Sequence, residues 1–175
     1  YVSHSLGEVL QLADTMLLMD QGKIITSGPI QEVLIHPNLR KYLGQKLIGT
    51  VLDTTVVRQD EKFQLTVLKF NNHTLYVPHR SVSPGKQLRI HIRADDVILA
   101  VEPMEELTSV LNVLPAQIID VRDSYEDGCK VDVTLDIGCP LLASITRKSL
   151  INLNLKPGNN IFAHIKAIRM ANEVD

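Results

Sequence analysis

Apolar and polar positions change their period partway along this 175-residue chain. Near the start, Leu6, Val9, Leu10 and Ala13 recur at intervals of three and four, and Ser5 and Glu8 have capping-box spacing. This pattern predicts a short amphipathic helix. The run Thr15-Met16-Leu17-Leu18-Met19-Asp20, the turn Gln21-Gly22 and the run Lys23-Ile24-Ile25-Thr26-Ser27 predict a hairpin that ends at Gly28-Pro29. Pro29 suits a first helical turn, Ile30, Val33 and Leu34 mark one face, and His36-Pro37 stops that second helix.

From about Leu47 the texture becomes short β-branched runs separated by turn signals. These fall at Asn71-Asn72, Ser83-Pro84-Gly85, Asp127-Gly128, Ile137-Gly138 and Lys156-Pro157-Gly158-Asn159-Asn160. Short strands at this spacing predict small barrels or sandwiches, with a boundary near residue 46. The segment Pro84-Gly85-Lys86-Gln87-Leu88-Arg89-Ile90-His91-Ile92-Arg93-Ala94 aligns at one offset with Pro157-Gly158-Asn159-Asn160-Ile161-Phe162-Ala163-His164-Ile165-Lys166-Ala167. Each copy sets a Pro-Gly turn before an alternating strand with a cation near its end. The economical organisation is an N-terminal piece over 1–46, then two similar β modules over 47–103 and 108–172.

Composition narrows the function. A net charge of -2 and 4% aromatics without Trp lack both the phosphate-neutralising balance and the stacking platforms of a nucleic-acid binder, so no nucleic-acid partner is expected. Cys129 and Cys139 have neither Cys-x-x-Cys spacing nor a histidine cluster nearby. No metal site is expected, and the two are read as buried reduced thiols. The histidines His36, His73, His79, His91 and His164 are scattered, and Asp95-Asp96 and Glu105-Glu106 read as solvated charge pairs at strand or linker ends. No apolar run is long enough to span a bilayer, and the chain opens on Tyr1 in mid-pattern, which reads as a truncation.

The series Tyr1-Val2-Ser3-His4-Ser5-Leu6-Gly7-Glu8-Val9, Leu12-Ala13-Asp14, Met19-Asp20-Gln21-Gly22-Lys23-Ile24 and Gly28 to Leu34 resembles ABC-type ATPases, from the H-loop histidine to the end of the nucleotide-binding domain. The resemblance implies that His4 contacts the γ-phosphate of ATP and that the parent protein works with ATP and Mg. A positioned imidazole N–H suits phosphoryl transfer, in which charge stabilisation dominates. No phosphate loop of the Gly-x-x-x-x-Gly-Lys-[Ser/Thr] type occurs in these residues, so this stretch alone is expected to be inactive as an ATPase.

A second resemblance covers Thr108 to Leu114, Leu142 to Ser149, Leu153 to Gly158 and Phe162 to Ala167. These segments look like the molybdate-binding Mop domain of the TOBE class, an OB-like barrel that pairs and holds molybdate or tungstate between copies. The fold class expected is therefore α+β: the end of an ABC ATPase domain followed by mainly β, OB-like modules. The resemblance implies a molybdate importer's ATPase subunit, held at the cytoplasmic face of the membrane with a second copy of itself and transmembrane permease subunits.

A tetrahedral dianion carries only acceptors, so its site needs converging donors and a cation. Thr108, Ser109 and Asn112 supply side-chain donors before a strand, Lys166 supplies charge, and Thr146 and Ser149 are further candidates. Thr146 and Ser149 also have the spacing of a helix cap before Leu150 and Ile151. The family's motif reads Ser-x-Arg-Asn, and Leu111 stands at the Arg position, so one expected cation is missing. Two alternatives stay open: an importer of another solute whose OB-like modules are structural, and a free-standing molybdate-storing or sensing protein.

Overall fold

The computed structural model describes residues 2, 3, 5–36, 39, 42, 48–103, 108–124 and 128–171. Helix α1 (Leu6–Leu12) starts at Ser5, whose side chain accepts from the Glu8 N–H. A hairpin follows, β1 (Thr15–Asp20) against β2 (Lys23–Pro29), turning at Gln21 and Gly22, both with positive φ. Helix α2 (Ile30–Leu34) buries Ile30, Val33 and Leu34. These elements and their turn chemistry follow the sequence pattern. The expected boundary at residue 46 lies outside the described residues.

Two five-stranded antiparallel sheets carry the rest. The first contains β3 (Gly49–Asp60), β4 (Leu65–Phe70), β5 (His73–Pro78) and β6 (Gln87–Arg93). The second contains β7 (Val97–Ala100), β8 (Asn112–Asp123), β9 (Lys130–Asp136), β10 (Pro140–Thr146) and β11 (Asn160–Ile165), with helix α3 (Arg147–Asn152) between β10 and β11. The last strand, β12 (Arg169–Met170), returns to the first sheet. Spatial order is β12-β6-β3-β4-β5 in one sheet and β7-β11-β8-β9-β10 in the other. The two orders are the same, so the Pro-Gly repeat of the sequence is a repeat of topology.

Local geometry repeats too. Strands β3 and β8 are each long and each change register once, at Val56/Arg58 and at Ile118/Asp120. Such bulges add twist and let a sheet curl. At the first bulge the Gly85 N–H donates to the Val56 carbonyl (2.8 Å) and the Val56 N–H to the Lys86 carbonyl (2.9 Å). At the second, Gly158 donates to Ile118 (2.7 Å) and Ile118 to the Asn159 carbonyl (2.9 Å). Gly85 and Gly158 have φ of 85° and 91°, where a Cβ is strained, which is why both copies keep glycine after proline.

The two copies exchange edges. Strand β7 follows β6 in sequence but pairs with β11, while β12 follows β11 but pairs with β6. A single apolar cluster runs through both sheets, joining Leu52, Leu68 and Ile90 to Leu114, Val133 and Ile161. Two reciprocal side-chain clamps reinforce the joint. Thr50, at the start of β3, accepts from the Leu142 N–H in β10 (3.1 Å), and Asn112, at the start of β8, pairs with the backbone of Tyr76 in β5.

The N-terminal elements sit on this body through a second cluster. Leu10, Ile30, Val33, Leu34 and Leu39 pack with Val51 of β3 and Ala171 near the chain end. Arg89 on β6 adds a polar latch: it donates to the Ala13 carbonyl (2.8 Å) and pairs with Asp14 (2.9 Å) and Asp53 (2.6 Å). Its guanidinium thus meets the carbonyl end of α1, where a cation is favoured. The hydrogen bond to Asp53 is the main reason its pKa lies above the ordinary arginine value.

Two expectations are corrected here. Cys129 is exposed and Cys139 half-buried, because the first lies in the turn before β9 and only the second reaches the core margin. Asp95 is exposed, as a solvated charge would be, whereas Asp96 is largely shielded. The chain turns at once into a 3-10 turn (Ala94–Asp96) that presses them against cations from other strands, Lys130 for Asp95 and Arg169 for Asp96.

Candidate functional site

The residues singled out as oxyanion donors fall into two groups. The first gathers at the start of β8. Thr108 folds its hydroxyl back to accept from the Val110 N–H (3.0 Å), a local turn that leaves its own proton free to donate. Ser109 is exposed, and Leu111 points out with 62% of its surface accessible. Asn112 is turned inward and buried. Its Oδ1 accepts from the Tyr76 N–H (2.7 Å) and its Nδ2 donates to the Tyr76 carbonyl (2.9 Å). Only one amide proton of Asn112 remains for any ligand.

Strand register brings the cation to the same place. Ile165 stands opposite Asn112 in the antiparallel β8–β11 pair, so its neighbour Lys166 comes beside Leu111. The Lys166 N–H donates to the Asp96 carbonyl (2.8 Å), which fixes the backbone while the side chain is exposed. Its ammonium forms no salt bridge among the described residues. Arg169, Lys130 and Arg147, in contrast, are paired with Asp96, Asp95 and Asp123. Lys166 thus differs from those three cations in having an exposed side chain with no ion-pair partner among the described residues.

The second group lies at the far end of β8. Thr146 stands opposite Lys130, and Val131 opposite Asp123. Thr146 is the N-cap of α3: its Oγ1 accepts from the Ser149 N–H (3.1 Å) and lies 2.8 Å from the Ser149 Oγ. Both hydroxyls are thus engaged in starting a helix, as their spacing also allowed. Register places this pair and the Lys166 group at opposite ends of β8. The Ala94–Asp96 turn reaches Lys166 at one end and Lys130, the cross-strand neighbour of Thr146, at the other: the Asp96 carbonyl accepts from the Lys166 N–H and Asp95 pairs with Lys130.

His4 lies outside the described residues. Beside it, the Ser3 hydroxyl accepts from the Ser5 N–H (3.0 Å) and donates to Glu8 (2.8 Å), an arrangement that precedes α1. Sequence reasoning missed the contacts of Asp96, whose carbonyl accepts from the Lys166 N–H and whose carboxylate pairs with Arg169. The available signal was an acidic pair directly after a strand whose repeat carries Lys166 at the matching end.

Residues 108–171 match the TOBE domain family. The chain is 40% identical over 172 residues to a molybdenum import ATP-binding protein, ModC, of Paramagnetospirillum magneticum, covering 98% of this chain and 47% of that protein. It is 39% identical over 169 residues to the ModC of Mesorhizobium japonicum, covering 96% and 45%. The chain thus spans about half the length of these relatives. Among solved structures, the cytoplasmic molybdate-binding protein ModG, with molybdate bound, superposes with a TM-score of 0.58 at 19% identity, covering 69% of this chain and 95% of that one. That likeness establishes a shared fold. Residues 108–171 thus match the TOBE domain family, and the chain as a whole is similar to the C-terminal half of molybdenum import ATP-binding proteins.

Proposed function

We propose that this chain is the C-terminal part of the ATP-hydrolysing subunit of a molybdate ABC importer, and that its β region is a regulatory module that binds the oxyanion. The observation that carries this reading is the continuity of the N-terminal elements with the β body. Leu10, Val33 and Leu34 share one cluster with Val51 and Ala171, and the likeness to the import ATP-binding proteins runs through both parts. A free-standing binding protein would have no use for α1, the β1–β2 hairpin and α2.

In this reading His4 contacts the γ-phosphate of ATP, with Mg and the phosphate loop supplied by the rest of the subunit. Two copies work beneath a pair of permease subunits on the cytoplasmic face of the membrane. Lys166, Thr108, Ser109 and the free proton of Asn112 hold molybdate or tungstate from one side, and Thr146 and Ser149 contribute from the second copy. A charge-assisted hydrogen bond is about twice as strong as a neutral one, so Lys166 is the leading contact. Molybdate that binds one arrangement of the paired regulatory modules better than another shifts the ATPase between states.

The test is ATP hydrolysis by the assembled transporter across a molybdate series, with His4→Ala as control. The reading expects His4→Ala to abolish turnover and molybdate to slow it at saturation. Turnover indifferent to saturating molybdate would remove the regulatory half, and undiminished turnover in His4→Ala the ATPase half.

A further inference from the structure

We infer that residues 166–171 form a relay between the candidate anion end of the β body and the N-terminal elements, with the Asp96–Arg169 ion pair as its pivot. The ligand-dependent half of this inference rests on the reading of Lys166 as the anion-facing cation; the mechanical half does not.

The geometry is short and continuous. Asp96 holds both ends of a four-residue stretch: its carbonyl accepts from the Lys166 N–H, and its carboxylate pairs with the Arg169 guanidinium. The Asp96 side chain retains only 18% of its exposure, so that ion pair is shielded from solvent more than most surface pairs. The next two residues enter different clusters. Met170 is buried in the apolar core shared by the two sheets, whereas Ala171 is buried with Leu10, Ile30, Val33 and Leu34 beneath the N-terminal elements. Five peptide steps, at most about 17 Å of extended chain, thus connect Lys166 to the packing under α1.

The strand in between is the weakest-held member of its sheet. Among the described residues, strand β12 contributes two, Arg169 and Met170, paired with His91 and Ile90 of β6. Two ladder positions give little cooperative stability, so its docking depends on the ion pair before it and the apolar contacts after it. Such an element has a docked and a released arrangement, which is what transmission between sites requires. The same strand β6 carries Arg89, whose guanidinium grips the Ala13 carbonyl and Asp14. A released β12 therefore loosens the N-terminal elements twice, by withdrawing Ala171 and by freeing the edge of β6.

Amide hydrogen exchange on the whole chain tests this, comparing wild type with Arg169→Gln, first without ligand. The inference expects exchange to rise at residues 166–170 and also, about tenfold (~1.4 kcal/mol), at the amides of Ala13 and Ile30, which bond to the Val9 and Asp14 carbonyls. Acceleration confined to 166–170 would overturn it. If Arg169→Gln does not fold, Asp96→Asn cuts the same pair from its other side and is read in the same way. With molybdate added, wild-type Ala13 and Ile30 should change protection and Arg169→Gln should lose that response. Molybdate that binds wild type without moving Ala13 and Ile30 also overturns the relay. Molybdate that does not bind at all instead defeats the reading of Lys166, and the ligand-free comparison then decides the relay by itself.

Discussion

The side-chain amide of Asn112 meets both backbone groups of Tyr76, accepting from its N–H at 2.7 Å and donating to its carbonyl at 2.9 Å. One side chain thus imitates a strand at the seam between the two sheets. Thr50 makes the reciprocal contact to Leu142, so the seam is stitched from both repeats.

Asn112→Ala leaves the Tyr76 N–H and carbonyl without these partners at a part-buried position. Loss of such partners costs about 1–3 kcal/mol for each buried group, so urea denaturation should show a loss of ~2–6 kcal/mol with little change in m. Asn112→Asp should also destabilise, because a carboxylate can accept from Tyr76 N–H but repels its carbonyl.

Gly49 is required by closeness. A Cβ there would lie 2.1 Å from the Ile92 carbonyl oxygen and 2.8 Å from the His91 ring. Neither the ladder backbone nor the fully buried His91 can retreat easily. Gly49→Ala should cost ~2–3 kcal/mol or more in thermal or urea denaturation. Gly128→Ala, where none of the described residues lies within 4 Å, is the matched control and should be near neutral.

The two thiols should separate by reactivity. Burial first, and the charge of Asp136 second, push the Cys139 thiol up from 9.0 to about 11. The folded state therefore favours the protonated thiol, so its contribution to stability is intact below about pH 9 and declines as pH rises towards 11. Mass spectrometry after brief alkylation at pH 8 should find exposed Cys129 modified well before Cys139. The Cys139 rate should still be climbing at pH 10. Equal rates at pH 8 would show that Cys139 is not shielded as described.

Much of this architecture was legible because local chemistry and period agreed. Ser5 with Glu8, Gln21-Gly22 and the two Pro-Gly turns each specify a conformation within a few residues, and each appears where the pattern put it. The exchange of β7 and β12 was not legible, since nothing in a two-residue strand such as Arg169–Met170 states which sheet it will join. That choice is made by Asp96, Met170 and Ala171 finding partners far away in sequence. The same applies to the candidate site. Donor types could be read at Thr108, Ser109, Asn112 and Lys166, whereas the inward turn of Asn112 and the capping engagement of Thr146 with Ser149 depend on tertiary contacts.

In the proposed function the β body holds molybdate through Lys166, with Leu111 at the neighbouring position. Calorimetric titration of the chain with molybdate, sulfate as the control anion and Lys166→Ala and Leu111→Arg as variants tests it most directly. Binding should be saturable and not reproduced by sulfate, weakened by Lys166→Ala and strengthened by Leu111→Arg, each by about tenfold, or ~1.4 kcal/mol. Absence of heat with molybdate at high protein concentration, or binding indifferent to Lys166→Ala, would contradict it.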